Sequence, residues 1–166
     1  MAEKTIKVDE TVHDELEALK QRHGVDTFND VLKRVLGIAA GTDVDKLAAY
    51  LNDELRSAID EIVTEIEDTG KLNRGYEEGY GVEYLTFQVA GTHRKVADIA
   101  FRDGSFTVRY RDNKGEMKKC GSGYENSDTG ARYGTTSDLS DRYDLADVEE
   151  SVRNKVEKAY RRWSQK

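Results

Sequence analysis

The apolar positions change their period along the chain, and each change marks an element. Lys4–Asp9 alternates polar and apolar residues, which predicts a strand over 4–9. Ile6 and Val8 lie on one face, Thr5 and Lys7 on the other. The period then turns helical. Val12, Leu16 and Leu19 follow at spacings of four and three, Asp9 fits the N-cap, and His23-Gly24 is the stop. Thr27 caps a second helix with Asp30 at its third position, and Phe28, Val31, Leu32, Val35 and Leu36 form its stripe. The strand has no hairpin partner nearby, so its main-chain groups must find partners elsewhere.

Residues 42–70 read as one long helix with a broad apolar band: Val44, Leu47, Ala48, Leu51, Leu55, Ala58, Ile59, Ile62 and Ile66. Two readings fit that band. It can face a core, or its four-three rhythm (44, 48, 51, 55, 58, 62) can form a coiled-coil-like dimer seam. Beyond it, 82–90, 95–101, 105–111 and 116–120 read as strands, with Asp103-Gly104 marking a hairpin and 112–115 a longer turn. Leu85, Phe87, Val89, Ala97, Ile99, Phe101, Phe106, Val108 and Tyr110 are the expected buried face of a three- or four-stranded meander. Residues 121–141 are polar and glycine-rich, expected as a loop. A last helix over 145–163 carries Leu145, Val148, Val152, Val156, Ala159 and Trp163 on one side. The expected class is α+β: a strand-helix-helix unit (1–41), a long linking helix (42–72), and an antiparallel β-meander packed by a terminal helix (73–166).

A lone amphipathic strand followed by two short helices with a glycine break resembles the ribbon-helix-helix family of DNA-binding proteins (the MetJ/Arc type). The resemblance rests on 5–12, Gly24 and 27–36, about a fifth of the chain. It implies that the strand pairs with its copy in a second subunit and that the ribbon enters the major groove of double-stranded DNA. It further implies base readout by Thr5 and Lys7, with Glu3 at the flanking position. Main-chain N–H groups of Thr27, Phe28 and Asn29 would hold phosphate, with Lys4, Lys33 and Arg34 adding contacts. The dimer core would be Ile6, Val8, Leu16, Leu19, Phe28, Val31, Leu32 and Val35. Glu3 departs from the family, because a carboxylate repels phosphate. That departure points to several dimers binding together.

Charge sharpens this picture. Net charge is −7, which argues against a non-specific nucleic-acid coat but not against a local reader. Residues 42–72 hold nine acidic and three basic groups, so the acidity is concentrated in the middle. Thr107, Arg109 and Arg111 alternate outward on their strand, near Arg94, Lys95, Arg102, Lys118 and Lys119. That is either a solvated charged face or, with Tyr84 or Tyr124, a surface for nucleic acid or an acidic partner. Cys120, the single cysteine, follows two lysines. Those cations would make it redox-active, while a plain small residue at a strand end is the simpler reading. His13, His23 and His93 do not share a ligand spacing, so no metal or other cofactor is expected, and no catalytic signature is visible. With no long apolar run, a cytoplasmic, non-membrane protein is expected.

The function expected from these residues is a dimeric transcriptional regulator, a non-enzymatic repressor in which residues 73–166 oligomerise, sense an effector or bind a protein partner. Two others fit the same residues: an antitoxin whose C-terminal part neutralises a toxin, and a scaffold protein whose N-terminal unit only dimerises.

Overall fold

The computed structural model describes residues 7–23, 27–28, 31–32, 44, 47–48, 51–136 and 143–166. The chain divides into two compact units, 1–43 and 44–166.

In the first unit, helix α1 spans Glu10–His23. Asp9 caps it as expected, its Oδ1 accepting from the Val12 N–H at 2.9 Å. Leu16 and Val31 are buried, and a hydrogen bond from Val31 N–H to the Thr27 carbonyl (3.2 Å) closes a helical turn there. The Phe28 ring meets His13 edge-on at 5.1 Å and lies under the Lys20 ammonium at 5.3 Å. Lys7, Val8 and Asp9 belong to no regular element. Residues 4–6 of the expected strand, and Gly24 and Asp30 of the expected helix ends, lie outside the described residues.

The second unit is α+β. Helix α2 (Asp53–Glu67) precedes a six-stranded antiparallel sheet, and helix α3 (Leu145–Ser164) follows it. The strands are β1 (Leu72–Gly79), β2 (Val82–Val89), β3 (Lys95–Arg102), β4 (Ser105–Arg111), β5 (Met117–Asn126) and β6 (Gly130–Gly134), each paired with the next in sequence order. The Asp103-Gly104 turn joins β3 to β4 as predicted, with Gly104 at φ 65°. Both helices cover one face. Leu55, Ile59, Ile62 and Ile66 of α2 and Val148, Val152 and Val156 of α3 join Leu85, Phe87, Ala97, Ile99, Phe106 and Val108 in one core. Each of these side chains is almost completely removed from water, which at roughly 25 cal/mol per Å² makes this layer the dominant source of stability.

Four expectations change. The linking helix over 42–72 is interrupted: Asn52 is extended (ψ 168°) and its side chain accepts from Leu55 N–H at 2.8 Å, so α2 begins afresh at Asp53. A helix N-cap followed by two acids outweighs the continuing apolar rhythm. The dimer-seam reading fails with it, because Val44, Ala48, Leu51, Leu55, Ala58 and Ile62 are all buried within one chain. Residues 72–79, assigned to no strand in the expected meander, form the edge strand β1. The expected 121–141 loop instead continues β5 to Asn126 and supplies β6. Glycines occupy β5 because the core comes too close for anything larger: a Cβ at Gly121 would stand 2.6 Å from Val148, and one at Gly123 would stand 2.5 Å from Phe106. β6 pairs only with Ser122–Asn126, leaving the first half of β5 at the sheet edge.

Candidate functional site

The described residues place part of the set expected for DNA. Lys7 and Thr27 are exposed, Leu16 and Val31 are buried, and Leu19, Phe28 and Leu32 are half-buried. Val8, just before α1, and Val12, in its first turn, are each 44% exposed. Glu3, Lys4, Thr5, Ile6, Asn29, Lys33, Arg34 and Val35 lie outside the described residues.

A second group assembles on the sheet face turned away from α2 and α3. Register places Asn73, Gly75 and Glu77 of β1 beside Gln88, Thr86 and Tyr84 of β2. Next come Lys95, Asp98 and Ala100 of β3, then Arg109 and Thr107 of β4, then Lys119, Ser122 and Tyr124 of β5. Arg132 of β6 closes the row, opposite Tyr124. The centre is Asp98, a carboxylate with no solvent exposure. It accepts two hydrogen bonds of 2.7 Å from Nε and Nη2 of Arg109, its direct cross-strand neighbour. Lys95 Nζ approaches Asp98 at 3.4 Å and donates to Glu77 at 2.7 Å. The Arg109 guanidinium lies over the Tyr84 ring at 4.9 Å. One charged chain thus crosses four strands, and the hydrogen bond to Asp98, above all, raises the Arg109 pKa.

The basic face expected at Arg109 is therefore largely an internal ion network, with its acid hidden beneath. Asp98 escaped notice because it sits inside the apolar run of β3. The signal was an acid at a strand position whose neighbours on both sides are buried. Lys119 differs from Arg109: it is half-buried, has no hydrogen-bond or ion-pair partner among the described residues, and burial lowers its pKa. Lys118 pairs with Glu116 instead.

Cys120 follows the simpler of its two readings, a plain buried residue, and not the redox one. It is 1% exposed, its thiol donates to the Val108 carbonyl (3.6 Å), and burial pushes its pKa up to about 12. At neutral pH it carries almost no thiolate, the form that reacts. His93 is exposed. Among the described residues, no group of three or more His, Cys, Asp or Glu side chains is placed to hold a metal ion. No described helix is long and apolar enough to cross a membrane. Comparison with known proteins finds no matching family model, no matching curated protein and no matching solved structure.

Proposed function

We propose that the protein is a dimeric, sequence-specific DNA-binding regulator of the ribbon-helix-helix kind. Strands 4–9 of two subunits pair, Thr5 and Lys7 reach base edges with Glu3 beside them, and the start of the second helix holds phosphate. Residues 44–166 form the oligomerisation or effector module. The observation that carries this reading is the exposure of Val8 and Val12 in a single copy, next to a capped helix whose Leu16 is buried. A second subunit supplies what those valines lack: an apolar surface to cover them and a strand to pair with. The extensive core of residues 44–166 speaks against the toxin-wrapping alternative, because tails of that kind fold on binding.

The test is binding-site selection with the purified chain, followed by titration of the selected duplex. Lys7→Ala is expected to weaken that binding by about 1–3 kcal/mol while the far-UV circular dichroism stays unchanged. A chain that is monomeric at micromolar concentration, or an operator affinity indifferent to Lys7, removes the reading.

A further inference from the structure

We propose that the polar face of the sheet is a docking surface for single-stranded nucleic acid. Charge comes first. By strand alternation this face carries Lys95, Arg102, Arg109, Lys119 and Arg132, with Arg111 at its rim, against two carboxylates, Glu77 and Asp98. The helices on the opposite side reverse the balance, since α2 alone has six carboxylates and one arginine. α2 and α3 together hold ten carboxylates and six cations, so in a chain of net charge −7 the sheet face, with its excess of cations, attracts a polyanion more than the helix side does.

The state of Arg109 selects among polyanions. Asp98 occupies Nε and one hydrogen of Nη2, the side edge of the fork, and so leaves a carboxylate of an acidic peptide only the Nη1–Nη2 edge. What remains is a planar cation, 30% exposed, backed by the Tyr84 ring and held still by two short hydrogen bonds. A fixed guanidinium plane suits a nucleobase, which stacks on it. Tyr124, half-buried on the same face of β5, offers a second ring. The phosphates then fall to cations without carboxylate partners. Lys119 stands directly across from Arg109, and Arg132 directly across from Tyr124. Arg132 spends one donor on the Thr129 hydroxyl and forms no ion pair among the described residues. The burial that lowers the pKa of Lys119 also marks it as a cation held without the anion that would complete it. A duplex fits less well, because its grooves admit a protruding helix or two-stranded ribbon, whereas this surface is the broad side of six strands. Single strands expose the base faces that the duplex hides. Nothing here is required of residues 4–9.

The experiment is fluorescence anisotropy with a short labelled oligothymidine and the full-length chain, repeated across salt concentrations. The expected result is saturable binding that weakens with salt. Combined Lys119→Glu and Arg132→Glu should reduce it by about tenfold or more, and the milder pair Lys119→Gln and Arg132→Gln should lower the log–log salt slope by about 0.7 per cation removed. Tyr124→Ala should cost about tenfold with the slope unchanged, the signature of a stacking contact. Lys7→Ala should leave oligothymidine binding intact, which separates this surface from the N-terminal one. Four results would overturn the proposal: no binding, equal binding by the folded glutamine pair, loss of binding on Lys7→Ala, or competition by polyglutamate as effective as that by unlabelled oligothymidine. The last would assign the face to an acidic protein instead.

Discussion

The two faces of the sheet solve the same problem by different physics. β3 is buried on both sides, from Val96 to Phe101. On the helix side its Ala97 and Ile99 meet Leu, Ile, Val and Phe side chains, and burial needs no directionality. On the other side Asp98 is equally hidden, but only an orchestrated set of cations makes that tolerable: the Arg109 fork and Lys95, which in turn donates to Glu77. An apolar layer loses stability in proportion to the volume removed. An ionic layer loses it according to which charge is left behind.

The largest expected effect tests the apolar face. Phe106 is 1% exposed and packs in the main core, so Phe106→Ala should destabilise the chain by about 3–5 kcal/mol in urea unfolding. Next comes an asymmetry peculiar to the ionic face. Arg109→Ala strands the fully hidden Asp98 with Lys95 alone at 3.4 Å, and should cost on the order of 3 kcal/mol. Asp98→Ala leaves Arg109 and Lys95, each with a quarter or more of its side chain already in water, and should cost clearly less. Equal losses would mean that the pair is stabilised by packing rather than by charge.

A smaller effect belongs to the acidic helix layer. Glu149 of α3 has its pKa raised, by burial first and then by hydrogen bonding to Glu61 of α2. A carboxyl whose folded pKa lies above its unfolded value stabilises the fold below the unfolded pKa and loses that contribution as pH rises through the folded one. Thermal melts should therefore show a component of stability lost on raising pH through the carboxylate range, and Glu149→Gln should remove that component. The smallest effect returns to the polar face. Among the described residues Thr86 Oγ1 is buried without a hydrogen-bond partner, so Thr86→Val, nearly isosteric, should be neutral or stabilising by up to about 1 kcal/mol. A clear loss of stability would reveal a partner for that hydroxyl.

The same contrast explains what could be read from the residues alone. The apolar face of β2, β3 and β4 and the stripe of α3 were legible, because burial against a helix layer enforces strict periodicity. β1 was not: an edge strand has one flank free, and Leu72 and Tyr76 are too few to mark it. The start of β5 was read as a strand, but its continuation past Cys120 and all of β6 were hidden by glycines whose purpose, the close approach of Val148 and the Phe106 ring, is visible only in three dimensions. The break before α2 did have a signal, an Asn followed by Asp and Glu, but the apolar rhythm ran straight across it. Of the polar site, Arg109 stood out by alternation, with Lys119 near a strand end and Tyr84 as a nearby ring. Asp98 did not: its signal was an acid inside the apolar run of β3, but the linear pattern does not say which cation lies over it.

The incomplete cover of β5 by β6 has one more result. Among the described residues Met117–Lys119 have no strand partner on that side, the kind of rim that recruits copies of itself into aggregates. Lys118 and Lys119 point to opposite sides of the sheet there, so an incoming strand would have to smother one ammonium group whichever surface it extended. The two adjacent lysines act as gatekeepers, and exchanging both for threonine should make the chain prone to stacking edge to edge.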